Sequence, residues 1–457
     1  MPHLWRIKIH SDVRVSSGSG IKRKYNYDTS PQGTFSPASY SPTITTPSAK
    51  YSTRKNAGDV VYRHNDDVSD RSWKCNENYI AKIELDANLS IPISLYMHNC
   101  LTDFLDYWDT NIKKLGKLIR SKHGLDEEMP MNHKGVNTFV LVGRIACDGE
   151  GRINSKTVQL EGASDNASGE AVDLDMSILQ KYSIFPGQVV AVEAYNLTKD
   201  RLVVKELYSD TDINFFKPYE LPRGSLNVMV ASGPYTPTDS MTYEPLLDLV
   251  KEVVKQEPHV LILTGPFIEA NHPVLEESVL AETTEEFFEK VIEQIMKPLE
   301  REFTSPMVYP TPQIKLKTKQ TYPKLHLLPD PSIFAVEDVV FGVTSTDVLL
   351  HMSKEEISCS LEGGRLPRLA KHILQQRSFY PLSPAKDVPL DPLLMDHAKL
   401  EIAPHILIVP SDLRYFIQKV DGCVVVNPER LAKGLIGGTY ARLIISPNDV
   451  VGNIVKV

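Results

Sequence analysis

Most of what would tie this chain to a membrane, a metal or a nucleic acid is scarce in it. Cysteine is limited to Cys75, Cys100, Cys147, Cys359 and Cys423, with no CxxC pair. An odd, dispersed set argues for a reducing compartment and against a zinc site built from this chain alone. No stretch approaches the ~18 consecutive apolar residues of a membrane span. The opening residues hold no apolar signal region, so no secretory leader is expected. A basic excess is missing too: 50 Lys and Arg stand against 58 Asp and Glu, for a net charge of −8. A protein whose main task was to grip DNA would carry surplus cations to displace counterions. Contact with DNA is therefore expected to be local, weak or indirect. What the chain does have is length, 457 residues, enough for two or three domains with their own cores.

Residues 16–53 are rich in Ser, Thr, Pro, Gly and Tyr and lack aliphatic periodicity. Such a composition cannot bury enough apolar surface to offset its ordering entropy, and residues 1–70 are expected to be a disordered tail. The tail holds Ser30-Pro31, Ser36-Pro37, Ser41-Pro42 and Thr46-Pro47, candidates for proline-directed phosphorylation at Ser30, Ser36, Ser41 and Thr46, and a short basic cluster, Lys22-Arg23-Lys24, that could act in nuclear import.

Residues 71–130 read as one or two strands followed by an amphipathic helix. Leu101, Phe104, Leu105, Trp108, Ile112, Leu115 and Ile119 recur at three- and four-residue spacing, a face expected to pack on its own chain. In residues 131–215, β-rich runs at 139–145, 158–160, 189–195 and 202–207 alternate with turn formers, the pattern of a small closed barrel. Such a barrel binds single strands with exposed aromatics and basic neighbours. Here the strands offer Phe139 and Tyr195 amid Asp148, Glu150, Glu161, Asp165, Glu170, Asp173 and Asp175, so a packing module is expected instead.

From residue 222 the chemistry is conspicuous by what is missing. Apolar runs at 228–231 and 260–263 bracket a helix whose stripe is Leu246, Leu247, Val250, Val253 and Val254, a βαβ pattern. Each strand ends in Gly-Pro. The carboxyl ends of parallel strands are where an open α/β sheet places its chemistry. A binuclear metallophosphoesterase would carry Asp-x-His on the first loop and Gly-Asp on the second. This chain offers Gly233, Pro234 and Tyr235, then Gly265, Pro266 and Phe267, none a good ligand for a divalent metal. Thr283 with Glu286 forms a capping-box pattern opening a further helix. Later strands are expected at 332–341, 405–409 and 423–426. After the middle of these the loop reads Pro410-Ser411-Asp412-Leu413-Arg414-Tyr415 rather than Gly-His-x-His. His405 lies at the wrong end of its strand, and Asp347, His351, His397 and Asp412 are scattered titratable groups that cannot complete a binuclear site alone. The GLIGGT segment at 434–439 lacks the spacing and Lys-Ser/Thr of a phosphate loop, and reads as turn glycines.

The segments SGPYTPTDSMTYEPLLDLV, LTGPFIEANHP, FGVTSTDVLLHMSKEEIS, HILQQRSFYPLSP, HILIVPSDLRYF and VDGCVVVNPERLAKGLIGGTYARL together resemble the B (regulatory) subunits of replicative DNA polymerases, above all those of the alpha–primase complex, from about Asn137 onward. The resemblance implies an inactivated calcineurin-like phosphoesterase domain, a two-sheet α/β sandwich, over 222–457, and an OB-fold β-barrel over 131–215. It implies a nuclear, non-catalytic scaffold with no metal or cofactor, which binds the C-terminal domain of the alpha catalytic subunit, tethers polymerase to primase and supports primer synthesis in DNA replication. Residues 131–457 are expected to suffice for that complex, with Arg414 and Tyr415 as interface candidates. The alternatives are the regulatory subunit of polymerase delta or epsilon, or, in another class, an active metallophosphoesterase. Two departures from the family stand out. The opening MPHLWRIKIHSDV does not look like the helical module that precedes the linker in relatives. REFTSP also runs straight into MVYPTPQ where relatives carry another strand, so a strand is expected to be missing near 304–307, through a lost exon rather than a tolerated deletion, with a gap or poorly ordered patch over 303–324.

Overall fold

The computed structural model describes residues 49–65, 81–85, 91, 99–147, 151–167, 171–196, 201–221, 224–267, 272, 309–313 and 325–457. All belong to the unit Pro47–Val457. The phosphorylation candidates Ser30, Ser36, Ser41 and Thr46, the basic cluster at 22–24, the Thr283/Glu286 helix and the junction at 304–307 lie outside the described residues.

Two sheets face each other. The first runs in the order β1 (Val60–His64), β20 (Asp449–Lys456), β19 (Thr439–Ser446), β9 (Leu226–Ser232) and β10 (Val260–Thr264). In it β9 and β10 are parallel, as the βαβ pattern requires, and the other pairings are antiparallel. The second runs β15 (Phe416–Val420), β16 (Cys423–Asn427), β14 (Ile406–Ile408), β12 (Val339–Val343), β11 (Ser332–Val336) and β2 (Ile83–Leu85). Alternation along each strand sorts its side chains. Val228 and Val230 point between the sheets, where they meet Phe341, Val343, Ile406, Ile408 and Val426. Met229 and Ala231 point the other way, onto Leu246, Leu249, Val250 and Val253 of the helix Glu244–Gln256; of the expected stripe, Leu246, Val250 and Val253 are buried, while Leu247 is half-buried, Val254 is exposed and Leu249 joins the core. Beyond the second sheet, helices Val348–Glu355 and Arg365–Gln375 cover Leu407, Val409 and Val425. The layers are helix, sheet, sheet, helix.

The barrel closes through β3 (Gly135–Cys147), β4 (Val158–Glu161), β5 (Ala171–Asp175), β8 (Arg201–Tyr208) and β7 (Val189–Asn196). Four of these strands match expected runs. The fifth, β5, is a short acidic alternation, AVDLD, whose Val172 and Leu174 point into the core. Phe139, one of the two strand aromatics available for a nucleic-acid face, is buried there too.

Helix α1 (Leu101–His123) lies on the barrel. Asp103 accepts a hydrogen bond from the Cys100 amide at 2.7 Å, and Gly124 ends the helix in a left-handed conformation. Ile112, Leu115 and Ile119 pack on Val142, Val189 and Ala191. Burial of each of these side chains stabilises the contact by about 1.5–3 kcal/mol. Gly116 lets helix and barrel touch: a Cβ there would sit 2.2 Å from Val142 Cγ1. At the helix start, Leu101 and Leu105 are exposed, so the apolar face is buried only from Trp108 onward.

Barrel and sandwich are joined by structure rather than by a hinge. β6 (Tyr182–Ile184) leaves the barrel and pairs with β13 (Ile357–Cys359). Gln376 accepts from the Val189 amide at 2.8 Å and donates to the Val189 carbonyl at 3.1 Å. Beside them the buried Glu356 accepts from Ser183 Oγ at 2.6 Å and Arg368 Nε at 2.7 Å, with Arg365 Nε at 3.3 Å; Ser183 Oγ also lies 2.8 Å from His372 Nε2. Burial alone would raise the Glu356 carboxyl, but hydrogen bonds from His372, Arg368 and Ser183 outweigh it and hold the group well below the usual carboxylate range.

Two expectations are corrected. The tail does not reach residue 70, because residues 49–65 are part of the body. Tyr51 is buried in the first core, Arg54 pairs with Asp248 at 2.6 Å and bonds the Val457 main-chain oxygen at 2.8 Å, and β1 zips to β20. The strand expected at 332–341 is a hairpin, β11–β12, turning at Glu337 and Asp338, both with positive φ (48° and 66°), the backbone of a tight two-residue hairpin. Residues 131–457, expected to suffice for the complex, lack β1 and β2, which pair within the two sheets, and α1, which packs on the barrel.

Candidate functional site

Five loops meet at the carboxyl ends of the central strands: those after β9, β10, β12, β14 and β16. The two Gly-Pro loops close on each other. A Cβ on Gly233 would lie 1.8 Å from the Pro266 carbonyl oxygen, so only glycine permits the approach, and the Gly233 amide donates to the Thr264 carbonyl at 2.9 Å. Tyr235 and Phe267 stack behind them, ring centroids 4.6 Å apart. Tyr235 Oη donates to the Thr264 carbonyl at 2.8 Å, and burial pushes its phenol far above the usual range. All six residues singled out in these loops come together, and they build a wall rather than a ligand cage.

The centre of the cluster is Arg430, which the residue patterns did not single out. It is 7% exposed. Its Nη1 donates to Ser232 Oγ at 3.1 Å and to the Gly233 carbonyl at 3.3 Å, its Nη2 to Asp347 Oδ2 at 3.0 Å, and its Nε to Asp412 Oδ1 at 2.9 Å. One guanidinium thus binds the loops after β9, β12 and β14. Asp347 also caps the helix Val348–Glu355, accepting from the Leu350 amide at 3.0 Å, and accepts from the Asp412 amide at 2.7 Å. Asn427 holds the 410–415 loop. Its Oδ1 accepts from the Ser411 and Glu429 amides at 2.9 Å each, and its Nδ2 donates to the Leu413 and Arg414 carbonyls. The available signal was slight: Asp347, a buried carboxylate, needs a partner, but nothing near it in sequence points to Arg430.

The scattered titratable groups separate accordingly. Asp347 and Asp412 meet at Arg430. His351, one turn along the helix that Asp347 caps, bonds Tyr380 Oη at 3.2 Å rather than either of the cluster's carboxylates, and His397 sits half-buried in the 3-10 turn Pro392–Ala398. His405, at the opposite end of β14, accepts from the Val340 amide at 2.9 Å and donates to the Lys217 carbonyl at 3.0 Å; burial lowers its pKa and keeps the ring neutral. Its twin, His259, at the start of β10, accepts from the Asn227 amide at 2.7 Å. Among the described residues no three His, Cys, Asp or Glu side chains converge as a metal cage. Gly434, with positive φ, turns the small hairpin of β17 (Ala432–Lys433) and β18 (Ile436–Gly437), as expected of a turn glycine. Arg414 is exposed at the rim, and Tyr415 packs partly into the inter-sheet core, 6.4 Å from the Tyr62 ring.

Fold and site define a class: a mixed α/β sandwich fused to an OB barrel, with its strand-end loops closed by an internal ion pair. Residues 105–210 match the family described as the OB domain of the DNA polymerase alpha B subunit, and residues 228–418 the family described as the DNA polymerase alpha/epsilon B subunit. The chain is 35% identical over 465 residues to the DNA polymerase alpha B subunit of Rattus norvegicus, covering 95% of this chain and 76% of that one. It is 36% identical to that of Mus musculus, covering 91% and 72%, and 29% identical to that of Schizosaccharomyces pombe, covering 82% and 72%. The chain belongs to the family of DNA polymerase alpha B subunits.

Proposed function

We propose that this chain is the non-catalytic accessory subunit of a nuclear DNA polymerase alpha–primase complex, scaffolding the catalytic subunit and primase during primer synthesis. The observation that carries the non-catalytic reading is the strand-end junction itself: the first two loops present Gly233-Pro234-Tyr235 and Gly265-Pro266-Phe267 in place of metal ligands, and the guanidinium of Arg430, paired with Asp347 and Asp412, occupies the centre. We read the four-layer sandwich as a phosphoesterase-like fold that has lost its chemistry and kept its rigidity. A stable subunit contact buries ~1,200–2,000 Å² or more. The barrel fused to the sandwich offers that area more readily than the barrel alone. The net charge of −8 suits a basic or metal-bearing partner domain, and complementary charge would speed assembly. The partner proposed is the C-terminal domain of the alpha catalytic subunit, with primase reached through the complex. Arg414 and Tyr415 are proposed at the contact, being of types common in interface hot spots. Ser30, Ser36, Ser41 and Thr46 are proposed as phosphorylation sites that tune recruitment.

The reading is tested by co-expressing the full chain with the C-terminal domains of the alpha, delta and epsilon catalytic subunits, followed by size-exclusion chromatography. Co-elution with the alpha domain alone is expected. Separate elution of two folded proteins rejects it, and co-elution with delta or epsilon reassigns the chain.

A further inference from the structure

We propose that the junction of the strand-end loops is a cation-binding site whose ligand is the chain's own Arg430, so that shortening this side chain opens a pocket selective for a free guanidinium ion. The inference stands on side-chain geometry and does not depend on which polymerase the protein serves.

Each nitrogen of the guanidinium has an acceptor. A guanidinium presents five N–H groups in a planar fork. Here Nη1, Nη2 and Nε each reach an acceptor within 3.1 Å, from Ser232, Asp347 and Asp412, and Nη1 also reaches the Gly233 carbonyl at 3.3 Å. Two of these acceptors, Asp347 and Ser232, have partners besides the arginine side chain. Asp347 is fixed by the amides of Leu350 and Asp412, and Ser232 lies at the end of β9, its carbonyl accepting from the Leu431 amide at 2.8 Å. Gly438 completes the fit from behind: a Cβ there would lie 1.8 Å from the Arg430 carbonyl oxygen, so the start of β19 passes against the arginine's backbone and fixes where its side chain begins. The buried side of the cage, Asp347 and Ser232, is thus organised by groups other than the cation it holds. Removing the cation leaves the buried Asp347 carboxylate facing an unfilled volume, and this favours uptake of a replacement over collapse.

The test is thermal denaturation of full-length Arg430→Ala, Arg430→Met and Arg430→Lys beside wild type. Each is measured in about 20 mM methylguanidinium chloride or in matched sodium chloride, a level at which a weakly bound ligand still raises the midpoint by mass action. Arg430→Ala is expected to melt several degrees below wild type and to regain part of the loss with methylguanidinium, whereas wild type gains nothing. Asp347→Asn in the Arg430→Ala background is expected to abolish the rescue. Arg430→Met fills volume without charge and should remain as unstable as Arg430→Ala. Should Arg430→Ala not fold in either salt, the comparison passes to Arg430→Lys, expected to fold, against Arg430→Met, expected not to. Absence of rescue in a folded Arg430→Ala, wild-type stability in Arg430→Met, or two tightly held metal ions in wild type by elemental analysis would each overturn the proposal.

Discussion

Glu356 illustrates how much a single buried charge can fasten. Its carboxylate sits between the barrel's Ser183 and the sandwich's Arg365, Arg368 and His372. Replacing it by Gln leaves buried donors short of a charged acceptor, and Glu356→Gln is expected to cost about 2–4 kcal/mol, read as a lower urea midpoint at neutral pH. The pH dependence has a definite sign. The folded-state pKa is held below the unfolded value of about 4.3, so the stabilisation is complete above that pH and is lost progressively as pH falls toward the folded value. Below about pH 4.3 the variant should therefore lose stability less steeply than wild type. Parallel slopes there would show that Glu356 is not part of the acid response. Residues of this kind are hard to read from a linear chain. Glu356 lies in the run KEEIS, where it looks like one of several surface acids, and its partners stand 9, 12, 16 and 173 positions away. Arg430 was hidden for the same reason, with contacts 18, 83 and 198 positions away.

Among the elements, α1 is the most sensitive to a small change. Ala is favoured over Gly in a helix by about 1 kcal/mol, yet at Gly116 the added Cβ would press into Val142, 2.2 Å from its Cγ1. Overpacking costs about 1–3 kcal/mol, so the clash should win. Gly116→Ala is expected to destabilise, and Val142→Ala to recover part of the loss in a double-mutant cycle. Additive effects of the two changes would refute direct contact. Elements with strong periodicity were legible: the βαβ unit, the Gly-Pro loops at its strand ends, α1, and four of five barrel strands. Those that depend on distant partners were not. β1 is a half-exposed strand at a sheet edge with little pattern of its own, and it is defined by the register of β20. The 332–341 run is apolar on both sides of Glu337-Asp338, and only the positive φ of both residues reveals the turn.

For the molecule as a whole, the path of the chain decides what can be removed. A chain of residues 131–457 loses the α1 stripe that covers Val142, Val189 and Ala191, together with edge strands from both sheets. It is expected to aggregate, whereas residues 47–457 should remain soluble with an unfolding midpoint equal to that of the full chain. A cooperative transition at that same midpoint for 131–457 would refute this. The β6–β13 ribbon carries a mechanical consequence. Its three paired positions run Ile357 with Ile184, Ser358 with Ser183 and Cys359 with Tyr182, and Gln376 bolts the adjoining strand β7 to the sandwich. Load applied to the barrel therefore passes into the sandwich through short antiparallel rungs and a side-chain clamp. With strand pairing and a side-chain clamp at the same joint, a pull on either half is expected to move barrel and sandwich together rather than swing one against the other.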